Sequence, residues 1–180
     1  DTLVILTADH GEELMDHPPY LFHFASIYDG VLRVPLLLSQ PGVLPEGQQF
    51  ALSTSLLDVA PTLCELLGIP AEKTWLGRSV APAVVGHSLP EKPVFAELEN
   101  RALIVYHQQK VYFQNPSAYA PVLAPGLQLK EAKLDERIQG NSYPLPTEAL
   151  WDLTADPRQQ HPLQGAAVLE MFRREAADFQ

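Results

Sequence analysis

Two short apolar runs, Leu3-Val4-Ile5-Leu6 and Val34-Pro35-Leu36-Leu37-Leu38, constrain this chain more than any other feature. Neither alternates apolar with polar side chains. A strand with one wet face alternates, whereas a strand covered on both faces reads as an unbroken apolar run, as in a parallel sheet flanked by helices. Thr2 to Thr7 is therefore expected to form a strand buried on both faces. Val34 to Leu38 is expected to form a second, ended by the turn residues Ser39-Gln40-Pro41-Gly42. Ala25 to Leu32 would supply a short helix between them, and strand, helix, strand is the grammar of an α/β layer.

Downstream, the clearest helix is expected from Val59 to Gly68. Pro61 lacks an N–H and is tolerated only in a first turn, which places Asp58 at the N-cap. Leu63, Leu66 and Leu67 would share its apolar face, Gly68 would stop it in the left-handed conformation, and Pro70 would block continuation. Val94 to Glu97 reads as a third strand. Beyond residue 100 the texture changes. Ala102 to Tyr106 and Lys110 to Phe113 read as two antiparallel strands joined through His107-Gln108-Gln109. Asn115 to Pro146 is proline-rich and aperiodic, hence an irregular surface loop. Ala149 to Leu153 reads as a strand, and Gln164 to Phe179 as an amphipathic helix with Val168, Met171, Phe172 and Phe179 on one side. The expected division is residues 1–100 as an α/β portion and 101–180 as a small α+β subdomain.

Charge narrows the function classes. The 180 residues carry 12 Lys+Arg against 22 Asp+Glu, a net charge of −10. Such a surface repels phosphate backbones and anionic lipid, so a nucleic-acid or membrane-surface partner is not expected. No apolar stretch approaches the length of a membrane span. The lone cysteine, Cys64, excludes an internal disulfide and a cysteine-rich zinc site, and reads as a small packed residue in the helix. A chain rarely opens straight into a buried strand, so the natural polypeptide is expected to begin upstream of Asp1, and the compartment stays open.

Chemistry concentrates after the first strand, in Thr7-Ala8-Asp9-His10-Gly11-Glu12-Glu13. Ligands of open α/β sheets bind beyond the carboxyl ends of the strands. Asp9 and His10 would sit there, with Gly11 allowing a sharp turn, and a carboxylate beside an imidazole suits a divalent cation. The bland alternative is Asp9 as a helix cap and His10 as a solvated loop residue. His23, thirteen positions beyond His10, could donate to an anionic oxygen or protonate a leaving group, or could be a polar residue in a loop with Tyr20, Phe22 and Phe24. Arg33 could hold an anion or brace a loop through an ion pair. Asp16-His17 reads as a solvated turn, with His17 a reserve ligand.

The ordered set of Asp9-His10-Gly11-Glu12-Glu13, His23, Tyr28-Asp29 and Arg33-Val34-Pro35-Leu36 resembles the sulfatase family of the alkaline phosphatase superfamily. Leu57-Asp58-Val59-Ala60-Pro61-Thr62-Leu63 with Gly68-Ile69-Pro70, Gly77-Arg78-Ser79, Val94-Phe95-Ala96-Glu97, and Ala149-Leu150-Trp151-Asp152-Leu153 with Asp156-Pro157 agree in order and spacing. The resemblance implies a mixed, mostly parallel sheet flanked by helices, followed by a small C-terminal subdomain of antiparallel strands and a helix. It implies Asp9 and His10 as ligands of one divalent cation, with Ca²⁺ the family's usual ion and Mn²⁺ or Mg²⁺ the alternatives. It makes His23 an active-site residue. Many relatives carry Asn in place of His10, and the His version also occurs in manganese-using phosphonate and phosphodiester hydrolases.

The family's formylglycine nucleophile arises from a Cys/Ser-x-Pro-x-Arg motif, which this sequence lacks, as it lacks the family's paired aspartates. The resemblance therefore implies a C-terminal portion of a metal-dependent sulfatase, inactive alone, whose partners are its missing N-terminal half and a small-molecule or carbohydrate sulfate ester. The alternatives are a phosphodiesterase or phosphonate monoester hydrolase of the same superfamily, or a non-catalytic scaffold.

Overall fold

The computed structural model describes residues 2–14, 16–17, 21–23, 27–98, 102–115 and 146–179. Among them run strands β1 (Val4–Leu6), β2 (Glu13–Leu14), β3 (Leu21–Phe22), β4 (Leu37–Ser39), β5 (Val94–Leu98), β6 (Ala102–His107), β7 (Lys110–Gln114) and β8 (Glu148–Asp152). The helices are α1 (Asp29–Leu32), α2 (Val59–Leu66), α3 (Ala81–Val84) and α4 (Ala166–Phe179). The loop expected over Asn115 to Pro146 lies almost wholly outside the described residues, as do Tyr20, Phe24 and the start of the helix expected from Ala25.

The chain divides into two compact units, each discontinuous in sequence: residues 1–9 with 35–94, and 10–34 with 95–180. The expected boundary at residues 100 and 101 falls between β5 and β6, which are neighbours in one sheet.

In the first unit β1 pairs with β4, and the direction corrects the sequence reading. The two strands run antiparallel, Ile5 opposite Leu38 and Leu6 opposite Leu37. All four ladders with a described register are antiparallel, so the parallel part of the expected mixed sheet is not among them. Nor is β1 covered on both faces. Successive side chains of a strand point to opposite sides; Ile5 and Leu38 are half-buried, while Val4, Leu6 and Leu37 are 54–59% exposed.

Helix α2 forms where expected, with Asp58 at its N-cap, but the Asp58 side chain makes no capping bond to α2. Asp58 also ends a single 3₁₀ turn, Leu56–Asp58, whose N-cap is Ser55. The Ser55 hydroxyl accepts from Leu57 N at 3.2 Å, and Asp58 Oδ2 accepts from Ser55 N at 3.0 Å, a reciprocal capping box. Asp58 is 6% exposed, and its Oδ1 accepts from Arg78 N at 2.8 Å. Thr62 Oγ1 donates to the Asp58 carbonyl at 2.6 Å and accepts from Val80 N at 2.9 Å. The buried face of α2 thus runs through Pro61 and Thr62, with Leu67 exposed, because polar ties rather than leucines clamp the 78–80 segment. At the other end Ile69 N reaches Cys64 O at 2.7 Å and Gly68 N reaches Glu65 O at 3.2 Å, with Gly68 at φ +66°. That is a Schellman stop, as the Gly-Ile-Pro sequence predicts.

The second unit owes its core to the sheet β5-β6-β7-β8. Ile104 faces Phe113 and Val105 faces Tyr112 across the β6–β7 ladder. Alternation sends Ala102, Ile104, Val111, Phe113, Ala149 and Trp151 to one side, where Ile27 joins them. Leu103, Val105, Tyr112 and Leu150 go to the other, against Phe172 and Ala176 of α4. Both faces are dry, so the unbroken apolar run here is β6. In α4 the buried stripe is Phe172 and Ala176, with Leu169 and Met171 packed beside it; Val168 is exposed. Phe179 is 44% exposed yet stacks on Phe95, ring centroids 4.4 Å apart.

Candidate functional site

Gly11 holds the residues after β1 in place through space rather than through an unusual φ. Its N–H donates to Val31 O at 2.7 Å, and a Cβ there would lie 2.1 Å from Gly30 O. Only glycine permits this approach of two backbones. Gly30 in turn sits under the Glu13 carboxylate, 3.2 Å from where its Cβ would be.

The β2–β3 ladder then determines which side chains meet. Glu13 pairs with Phe22 and Leu14 with Leu21, so the same register carried one step further sets Glu12 opposite His23. Residues opposed in an antiparallel pair have neighbouring side chains. His23 Nδ1 donates to Glu12 Oε1 at 2.7 Å, and the His10 ring lies 4.0 Å from the His23 ring, centroid to centroid. His10 Nδ1 donates to Gly11 O at 2.9 Å. Since a carbonyl and a carboxylate can only accept, both Nδ1 atoms carry protons, and in the neutral rings the lone pair belongs to Nε2. This is how metal-binding imidazoles are commonly oriented.

One atom each from His10, Glu12 and His23 lie within 4.8 Å of one another, the metal-capable trio among the described residues. Two of the three expected site residues are thus brought together. Asp9 is exposed, belongs to the other compact unit and is not in the trio. Glu12 had no role assigned from sequence. Its signal was the 12-to-23 register, but strands of two residues give no readable period.

His17 departs from expectation. It is neither a solvated turn residue nor a reserve ligand. Its side chain is 13% exposed, stacks on Tyr28 at 3.7 Å and donates from Nε2 to Arg158 O at 2.6 Å. Nδ1 faces the wholly buried Glu13 carboxylate at 3.3 Å. Both ring nitrogens face acceptors, an arrangement that favours the imidazolium over a metal-ligating lone pair. Burial opposes the charge, but the Glu13 carboxylate and the Arg158 carbonyl outweigh it and raise the His17 pKa.

Asp29 lies close by, receiving the Tyr106 hydroxyl at 2.6 Å and giving its N–H to Gln159 Oε1 at 2.8 Å. Burial raises the Asp29 carboxyl above its usual range despite the Tyr106 bond. Arg33 braces the same carboxylate in a 3.9 Å ion pair while remaining largely exposed.

Over 99% of its length the chain follows the structure of a phosphonate monoester hydrolase of Agrobacterium radiobacter, with a TM-score of 0.65, 22% identity and 34% of that chain covered. This is the alkaline phosphatase-like α/β fold. Within it, residues 1–69 match the Sulfatase family model. The chain is 32% identical over 156 residues to arylsulfatase K of Gallus gallus, covering 87% of this chain and 26% of the relative. It is 30% identical over 166 residues to a delta 4,5-hexuronate-2-O-sulfatase of Bacteroides thetaiotaomicron, covering 89% of this chain and 30% of the relative. The sulfatase likeness thus comes from a family model over residues 1–69 and from relatives of which this chain spans less than a third of the length.

Proposed function

We propose that these residues form part of a metal-dependent sulfatase that hydrolyses sulfate monoesters, with Asp9 and His10 holding a divalent cation and His23 at the substrate. The observation that carries this is the meeting of His10 and His23, 4.0 Å apart, directly after the strand that leads into Asp9. The His10 tautomer, with its proton on Gly11 O, fits metal ligation through Nε2. A bound cation would neutralise charge on the ester oxygens. Glu12 holds the His23 ring so that Nε2 is the atom offered to sulfate or to the departing alcohol. The formylglycine nucleophile lies outside these 180 residues. We propose that the rest of the catalytic domain, continuing the α/β portion of residues 1–100, packs on Val4, Leu6 and Leu37, with residues 101–180 as the C-terminal subdomain. The hexuronate-2-O-sulfatase relative supports a sulfated carbohydrate as substrate.

A second reading, phosphonate or phosphodiester hydrolysis, is favoured by one residue. His10 offers nitrogen, and imidazole suits Mn²⁺ better than it suits Ca²⁺, which prefers oxygen ligands. Assay of the complete enzyme against an aryl sulfate and an aryl phosphonate separates the two. His23→Ala is expected to lower kcat on the sulfate by roughly 10²- to 10⁴-fold. Full activity in that variant refutes the role of His23, and turnover by the 180-residue chain alone refutes the missing nucleophile.

A further inference from the structure

We propose that His10, Glu12 and His23 together form a binding site for a borderline transition-metal dication, Zn²⁺ foremost, that does not use Asp9. This goes beyond the hydrolase reading, which gives Glu12 and His23 no metal role. The donor set is two imidazoles and one carboxylate, a combination that selects ions such as Zn²⁺ and Ni²⁺ over Ca²⁺, which takes six or more oxygens. The geometry is close to what such an ion needs. At Zn–ligand distances of about 2.0–2.1 Å, tetrahedral ligand atoms stand ~3.4 Å apart. The three atoms already lie within 4.8 Å, so a closure of ~1.5 Å is required.

That closure is available without disturbing the backbone. The His23 and Glu12 side chains are 33% and 43% exposed and can swing, while their backbones are held by the β2–β3 ladder and by Gly11 N on Val31 O. Exposure also leaves the remaining coordination positions to water. The hydrogen bond already holds His23 Nδ1 and Glu12 Oε1 2.7 Å apart, so an ion that takes the place of the Nδ1 proton meets both atoms, and binding releases that proton. Occupation draws both imidazoles to one ion. If the hydrolase reading holds, His10 and His23 are then withdrawn from their catalytic places, so Zn²⁺ would inhibit where the working cation activates.

The test is calorimetry on the 180-residue chain with Zn²⁺ alone and Ca²⁺ alone. Zn²⁺ is expected to bind at one equivalent, at least tenfold tighter than Ca²⁺. Glu12→Gln, His10→Gln and His23→Gln should each weaken Zn²⁺ by tenfold or more, and Asp9→Asn by less than about threefold. A variant that loses its circular dichroism spectrum is replaced by imidazole NMR of the unaltered chain. Substoichiometric Ni²⁺ should there broaden His10 and His23 together and leave His87 and His161 sharp. Zn²⁺ binding no tighter than Ca²⁺ overturns the proposal. So does Zn²⁺ binding that Asp9→Asn abolishes and His23→Gln leaves intact. Failure of the hydrolase reading would appear instead as an inactive complete enzyme whose Zn²⁺ affinity is unchanged.

Discussion

Gly77→Ala is the sharpest probe of how the first unit is held. A Cβ at Gly77 would stand 2.0 Å from Leu57 O, 2.4 Å from Leu57 C and 2.9 Å from Asp58 N, all backbone atoms that no rotamer change can move. A carbon needs about 3.3 Å from a carbonyl oxygen, so the two segments must part by more than ~1 Å. Parting them breaks the 2.8 Å bond from Arg78 N to Asp58 Oδ1 and strains the capping box that shares this carboxylate. Overpacking costs about 1–3 kcal/mol, and leaving a buried charged acceptor short of a donor adds about 1.5–3 kcal/mol. Some relaxation is shared between the two, so a loss of roughly 3–5 kcal/mol is expected, or roughly 6–20 °C in Tm at this chain length. Gly68→Ala is the control. It has φ +66° and nothing within 4 Å of its Cβ, so only the left-handed backbone is penalised, by about 1–2 kcal/mol. Urea denaturation of both variants, compared at equal m-value, reads the difference. The reasoning fails if Gly77→Ala is no more destabilised than Gly68→Ala.

Three further outcomes follow from other contacts. Gln108 and Gln109 both sit at positive φ (51° and 59°) in a two-residue hairpin turn, so Gln108→Asn with Gln109→Gly should stabilise by roughly 0.5–1 kcal/mol in thermal melts; a loss of stability refutes the turn geometry. Imidazole ¹⁵N NMR should find His17 protonated on both nitrogens at neutral pH. Its raised pKa contributes stability in full below its ordinary 6.5, lost as pH climbs through the higher folded value, and a midpoint at or below 6.5 contradicts the Glu13 and Arg158 contacts. Glu148 receives Arg173 at 2.8 and 2.6 Å and the Tyr112 hydroxyl at 2.6 Å, which hold its carboxyl down to about 2. Its contribution is complete above pH 4.5 and vanishes as pH falls toward 2; Arg173→Gln should shrink that acid-side loss in a pH series of melts.

Local signals were read correctly where the cause is local. The Gly68-Ile69-Pro70 stop, the β6–β7 hairpin and the terminal helix each depend on neighbours within a few residues, and the structure has them at the expected places. Signals that need a partner were misassigned. The rule that an unbroken apolar run means two covered faces is sound, but it applies to β6, between α4 and the Ile27 side, and not to β1. Asp58 stands at the start of α2 as the sequence implies, but its carboxylate takes Arg78 N, twenty residues away, a partner that no helix start reveals.

At the site the same division holds. The sequence alone carried the resemblance to sulfatases, through an ordered set of motifs, and put imidazole and carboxylate chemistry just after the first strand. Only the tertiary structure decided that Glu12 joins His10 and His23, and that the His17 ring is locked between Glu13 and Arg158. The physical reason is register. A two-residue ladder and a glycine packed on another backbone place these side chains, and neither leaves a periodic trace along the chain.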